Sequence, residues 1–340
     1  MRIGIAYNLK SEIYNISPEH ILLDDAFEEF DSEETIEAIS DIFQKNGNNV
    51  VKLGWGKGAI KTLLSCDIDF VFNISEGYWG RNREAQMPAL LEMLDIPFSG
   101  SDPLTLSLAL DKISSKKILH EAGIKTPSYC VVKNIEDIKN VESVLKYPLF
   151  IKPAWEGSSK GIQYNSKVYN RQELVFCIKE LMKNYSNQPI LVEEYIAGRE
   201  FTVGVLGNNQ PQVLGIMQIR SNIDNEPDFF YSKEVKRDWK SRVIYDCPPK
   251  MEAALKKKIE HTALEVFKIF KCRDISRIDF RVDDKGDVYF LEVNPLPGLS
   301  PEYSDIVIMA RKMGWTFENF IMAIFNHALS RYKIEKVLKR

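Results

Sequence analysis

The stretch from Arg277 to Gly298 constrains this chain most. Arg277-Ile278-Asp279-Phe280-Arg281-Val282 and Asp287-Val288-Tyr289-Phe290-Leu291-Glu292-Val293-Asn294-Pro295 alternate around Asp283-Asp284-Lys285-Gly286, which predicts two antiparallel strands joined by a turn. Residues two apart on a strand share a face, so Glu292 and Asn294 point together, as do Arg277 and Asp279. The hairpin can bring Asp279 opposite the other two. Three oxygen donors on one face suit a hard cation such as Mg²⁺, with phosphate oxygens and water completing its shell. A guanidinium beside them suits a transition state with spreading negative charge. The same residues also fit a surface hairpin whose polar side chains meet water.

Around this hairpin the chain reads as a multidomain globular enzyme. Its 340 residues exceed what one core usually organises, predicting two or three domains. A hydrophobic share of 44%, a charged share of 27% and a net charge of −3 point neither to nucleic acid nor to an anionic membrane as main partner. No apolar run long enough to span a membrane occurs, and Met1 to Tyr7 lacks a signal peptide's apolar region, reading instead as a buried first strand. Five scattered cysteines without metal-type spacing fit reduced thiols in the cytoplasm. The four histidines are unpaired, and none is expected to be catalytic.

Residues 1 to about 100 alternate strand (Ile3–Tyr7, Asn49–Leu53, Asp69–Asn73) and helix (Ser32–Lys45, Ala85–Leu94), predicting an open parallel sheet. Residues 9–31 are irregular and acidic, fitting a surface loop or part of a substrate lid. Asp102-Pro103 opens a helix expected to run to Gly123. Strands follow at 128–132, 149–153, 190–195, 200–206 and 212–219, with a helix over 171–184. Residues 221–248 carry few regular signals; helices are expected from Pro248 to Phe270, near 302–313 and over 316–333.

Two further segments carry chemistry. Lys152-Pro153-Ala154-Trp155-Glu156-Gly157-Ser158-Ser159-Lys160-Gly161 follows a strand; its glycines let backbone N–H groups approach a phosphate. It equally fits an ordinary turn, since it lacks the Walker spacing. Glu193-Glu194-Tyr195-Ile196-Ala197-Gly198-Arg199-Glu200 joins two strands and can offer a flat base edge its backbone and a ribose its carboxylate, or stand as a solvated edge.

Together these segments resemble the ATP-grasp superfamily, and most closely its D-alanine–D-alanine ligase branch. The matching residues are Gly100-Ser101-Asp102 with Leu110-Asp111-Lys112; Ile151-Lys152-Pro153 with Glu156 to Gly161; Val192 to Ile196 with Gly198 and Glu200 to Val203; Arg277-Ile278-Asp279; and Leu291 to Asn294 with Pro297-Gly298. The resemblance covers residue 70 to the end, in order and spacing. It implies an α/β and α+β ATP-grasp fold: an N-terminal open parallel-sheet domain (1–102), a central ATP-lid subdomain (103–192) and a C-terminal subdomain with the magnesium site (193–340). It further implies ATP- and Mg²⁺-dependent carboxylate–amine ligation through an acyl phosphate, with Mn²⁺ as an acceptable substitute. Lys112 and Lys152 then look like phosphate-binding lysines, Glu193, Glu194, Tyr195 and Ile196 like the adenine hinge, and Glu200 like the ribose ligand. Asp279, Glu292 and Asn294 match the metal ligands. Arg277 and the Gly298 N–H match the groups that steady the tetrahedral intermediate; Ser158 and Lys236 match the two closing loops.

The substrate end departs from the branch. Its N-terminal Gly-Gly-x-Ser-x-Glu segment is missing, Asn8-Leu9-Lys10-Ser11-Glu12 standing there with Glu12 as a conceivable substitute. His-Gly becomes Ser75-Glu76-Gly77, and Gly-Glu-Asp-Gly becomes Gly80-Arg81-Asn82-Arg83-Glu84. The loop tyrosine is Arg237, and the late serine aligns with Tyr303 or Ser304. Arg81 or Arg83 is expected either to be a solvated loop charge or to grip a substrate carboxylate bidentately, implying a larger or more acidic substrate than D-alanine. Small amino acids or peptides are the expected partners, with a cytoplasmic location and a homodimer implied by the resemblance. A non-catalytic ATP sensor and an acyl-phosphate-forming kinase remain as alternatives.

Overall fold

Ile3 and Ile5, fully buried, alternate with small residues in β1 (Arg2–Ala6), the central strand of a parallel sheet. The computed structural model describes residues 1–11, 23–26, 28–223 and 229–334; Glu12 lies outside them. After β1 come α1 (Glu33–Lys45), β2 (Asn49–Gly54), α2 (Gly56–Ser65), β3 (Phe70–Asn73) and α3 (Gln86–Met93). The sheet order is β2-β1-β3, all parallel. The Ser32 side chain caps α1 by accepting from Thr35 N–H, as its position before an amphipathic run foretells. α2 was not expected; it starts after Trp55 without a side-chain cap, so it carries no local start signal.

The single helix expected over 102–123 is two. α4 (Pro103–Leu110) ends at Asp111, whose carboxylate caps α5 (Lys112–Glu121) by accepting from Ile113 and Ser114 N–H. The break frees Lys112 N–H to bond Ala154 O at 3.0 Å and turns its side chain toward the strands. β4 (Tyr129–Val132), α6 (Ile138–Val144), β5 (Leu149–Pro153), β6 (Lys167–Val168), α7 (Arg171–Asn184) and β7 (Ile190–Glu194) form an antiparallel unit of order β4-β7-β5-β6. Its core joins Leu149, Ile151 and Val192 to Leu174 and Ile178 of α7.

β8 (Arg199–Gly207), β9 (Gln212–Ser221), α8 (Lys233–Arg237), α9 (Trp239–Arg242), β10 (Val243–Asp246), α10 (Ala253–Ile269), β11 (Asp274–Val282), β12 (Val288–Asn294), α11 (Asp305–Lys312) and α12 (Phe317–Arg331) follow. The five strands run β10-β9-β8-β11-β12, antiparallel throughout. Segment 221–248, expected to be irregular, holds α8, α9 and β10; α10 begins at Ala253, not Pro248. One face of this sheet shares a core with β1, α1, β3, α11 and α12 (Ile5, Phe43, Phe72, Met217, Phe325). The other face packs on α10 and on Ala109 and Leu119 of α4 and α5.

Candidate active site

The site is built on the β11–β12 hairpin, where the register places Asp279 opposite Glu292 and Arg277 opposite Asn294. Strict alternation would put Phe290 on the face of Glu292 and Asn294. Instead Phe280 pairs with Phe290, leaving Leu291 as an extra residue. This bulge lets Phe290 enter the core while Glu292 faces Asp279. Asn294 Nδ2 lies 3.4 Å from Asp279 Oδ2 and 3.4 Å from Glu292 Oε1. Arg277 Nη2 donates to Asp279 Oδ2 at 3.0 Å, and Thr202 Oγ1 donates to Asp279 Oδ1 at 2.6 Å. Thr202, on β8, was not anticipated; only the third strand of the pairing reveals it.

Two carboxylates and an amide are oxygen donors of the kind a hard divalent cation takes. The amide's oxygen faces an ion there after a half-turn of its terminal torsion. Burial pushes the Glu292 carboxyl up, but Lys112 at 3.2 Å, Arg277 and Lys152 outweigh it and hold it at about 2. Asp279 is raised by burial despite Arg277, while Arg277 stays fully charged between its carboxylates. The hairpin therefore presents an ionised Glu292 carboxylate beside fixed cations.

Two adjoining cavities meet at this hairpin. The larger encloses about 1010 Å³ of non-protein space, mouth included, and is lined by Lys112, Lys152, Glu193 to Ile196, Glu200 and Lys236. Ser158, Arg277 and Glu292 line both cavities. Lys152 holds Glu193 at 2.9 Å, with the buried Lys116 on the carboxylate's other oxygen; Lys116 was not anticipated. Tyr195 N–H bonds Pro148 O at 3.0 Å and fixes the hinge, whose Ile196 N–H has no backbone partner among the described residues. Arg281 lies 4.6 Å from the Tyr195 ring centre and 3.8 Å from Glu200. Burial raises Glu200 to about 7, against the pull of Arg281. Burial also lowers the Lys236 ammonium, though Asp305 opposes this.

The smaller cavity is lined by Glu29, Glu76 and Glu84 together with Asn294, Pro297 and Gly298. Burial raises Glu84 to about 7 and Glu76 well above the usual carboxylate range, Glu84 and Glu29 adding to the latter. Arg81 and Arg83 meet an arrangement different from the one expected. Arg83 is buried; its Nη2 donates to Glu29 at 2.6 Å and its Nη1 to Trp155 O at 2.7 Å. Arg81 reaches Asp111 at 2.6 Å and Ser114 at 3.2 Å, outside both cavities. Each guanidinium is taken by a protein carboxylate, so neither fork stands open toward a substrate. Arg237 likewise spans Asp24 and Glu28 at 2.8 and 2.7 Å. Ser304 Oγ accepts from Ser300 N–H at 2.8 Å behind Gly298, and the half-buried Tyr303 ring lies under Lys10 at 5.5 Å.

The acidic stretch 24–31 ties the loops over these cavities. Glu29 accepts from Arg83, from Gly157 N–H at 2.8 Å and from Lys160 at 3.1 Å. A Cβ at Gly157 would lie 2.8 Å from Glu29 Oε1, so only glycine allows this approach. Asp25 accepts from Gly161 N–H at 2.9 Å and Tyr185 OH at 2.6 Å; Asp24 accepts from Lys233 at 3.0 Å. Ser159 Oγ donates to Tyr231 O at 3.0 Å, joining loop 155–162 to the segment before α8. Ser158 and Ser159 hold φ of +50° and +60°, a left-handed pair that these contacts sustain. The complementary charges of 24–31 and of the basic loops were the one sequence signal for this latch.

The D-ala D-ala ligase C-terminus family matches residues 118–326. A D-alanine–D-alanine ligase of Carboxydothermus hydrogenoformans is 36% identical over 300 residues, covering 85% of this chain and 91% of that protein. An uncharacterized protein of Sinorhizobium fredii is 32% identical over 299 residues, covering 85% of each. The crystal structure of D-alanine–D-alanine ligase from Bacillus anthracis complexed with ATP superposes with a TM-score of 0.73 at 25% identity, over 98% of each chain. With the hairpin, hinge and loops in this order around one pair of cavities, the chain belongs to the D-alanine–D-alanine ligase family, whose members are ATP-dependent ligases forming C–N bonds.

Proposed function

We propose that this chain activates an amino-acid or peptide carboxylate with ATP and joins it to an amine, releasing ADP and phosphate. The observation that carries this reading is the meeting of the two cavities at Lys112, Ser158, Arg277 and Glu292. The hinge Glu193 to Ile196 and Glu200 would hold adenine and ribose, leaving the phosphates against Lys112, Lys152 and Lys236. The substrate carboxylate attacks the γ-phosphoryl group from the smaller cavity, and ADP leaves. The amine then attacks the acyl carbon, loses a proton, and phosphate departs. Arg277 and the Gly298 N–H would neutralise the tetrahedral oxyanion, so positioning and charge carry the rate. Asp279, Glu292 and Asn294 would hold Mg²⁺ (or Mn²⁺), which supplies Lewis acidity and a phosphate template when bound. The unit of 129–194 and the latched loops would keep water from the acyl phosphate.

A cytoplasmic setting fits the ATP requirement and the free cysteines. Among the described residues no helix is long and apolar enough to cross a membrane. The homodimer implied by the resemblance is checked by sedimentation. D-alanine is the reference substrate, being in the names of the relatives. The test is phosphate release with ATP, Mg²⁺ and amino-acid mixtures, with mass spectrometry of products. Amino-acid-dependent release with a new amide supports the ligase. ATP binding without release would point to a sensor, and hydroxamate trapping without amide to a kinase.

A further inference from the structure

The smaller cavity is lined by more carboxyl groups than the cations around it and one α-ammonium can meet. Five glutamates line it (Glu29, Glu76, Glu84, Glu156, Glu292) against two cations, Lys112 and Arg277. Both cations are already committed, Lys112 to Glu292 and Arg277 chiefly to Asp279. Glu29 and Glu156 are met by Arg83 and Lys160. Glu76 and Glu84 are left. Glu84 is only 8% exposed, and neither carboxylate has a hydrogen-bond or ion-pair partner among the described residues. Buried carboxylates without partners are unfavourable, and a bound cation relieves them. One α-ammonium accounts for one of the two.

Resting on the ligase reading, we propose that Glu76 and Glu84 form a subsite for a second, side-chain cation on the substrate, so that the preferred substrate is a diamino or guanidino acid. Its carboxylate would face the hairpin and its side-chain cation the wall that carries Glu76 and Glu84. This reverses the acidic-substrate expectation, because Arg81 and Arg83 are occupied while the glutamates are open.

The test uses the full chain with ATP and Mg²⁺. D-alanine, norvaline and norleucine are compared with 2,3-diaminopropionate, 2,4-diaminobutyrate, ornithine, lysine and arginine, in both enantiomers, by phosphate release. At least one basic substrate should exceed its neutral counterpart about tenfold or more in kcat/KM. Glu84→Gln and Glu76→Gln should each erase most of that preference through KM, with the KM for ATP unchanged. Should one variant not fold, the other and the parent's substrate panel decide. Release with D-alanine or norvaline but no preference for the basic acids overturns this subsite and leaves the ligase intact. A preference that survives in both variants also overturns it. No amino-acid-dependent release at all overturns the ligase reading, and this inference with it.

Discussion

Glu29→Gln tests whether the acidic segment latches the site. The Glu29 side chain is 3% exposed and its two oxygens hold Arg83, Gly157 N–H and Lys160 at 2.6, 2.8 and 3.1 Å. Arg83 and Lys160 hold the carboxyl well below its usual range, although burial alone would raise it. Glutamine keeps the volume and one acceptor but removes the charge. Hydrogen bonds to charged groups contribute about 1.5–3 kcal/mol. Arg83 and Lys160 retain Glu156 at 3.5 and 2.5 Å, so only part of their pairing is lost. A loss of roughly 2 kcal/mol in loop closure follows, or about a thirty-fold shift toward open loops at 1.4 kcal/mol per decade. The variant should cleave faster within 155–162 under limited proteolysis. It should also release more phosphate per amide formed, because water reaches the acyl phosphate. Burial shields the pair, so added salt should not reproduce the effect. If cleavage rate and phosphate-to-amide ratio match the parent, the latch does not control closure.

Asp31 is buried, which raises its carboxyl to about 7 despite Lys10. The folded chain then keeps a proton that the unfolded chain loses, so between about pH 4 and 7 this group makes stability fall as pH rises. The swing is on the order of 4 kcal/mol at 1.36 kcal/mol per pH unit. Asp31→Asn should therefore raise the urea midpoint at pH 8 and flatten that slope; parallel pH profiles for the two proteins would contradict it. Glu292→Gln should raise the Mg²⁺ concentration for half-maximal activity at least about tenfold, since it removes an ionised oxygen and leaves Lys112 unpaired. An unchanged Mg²⁺ titration would remove Glu292 from the metal site.

Local chemistry wrote much of this fold legibly. Ser32 caps α1 because a hydroxyl beside an amphipathic run satisfies an open N–H wherever the helix lies. The helix over Arg171–Asn184 follows from a period of 3.6, and the shared face of Glu292 and Asn294 from a period of 2. The lysines, hinge and metal-type donors were legible as motifs, and their convergence on two adjoining cavities agrees with their order along the chain. Less legible were features set by a partner far away. The helix break at Asp111 depends on Ala154 O, which takes the Lys112 N–H. The bulge at Leu291 reconciles Phe290 in the core with Glu292 in the site, a conflict that alternation alone cannot resolve.

The sequence by itself determined many of the elements, the candidate donors and the family, because each is written in local periods and short motifs. Only the tertiary structure decided which charges remain available. Arg83 finds Glu29, Arg81 finds Asp111 and Arg237 finds Asp24 across long separations, while Glu76 and Glu84 form no ion pair among the described residues. Charge in a buried site is a property of pairs, and pairing is settled by folding in space.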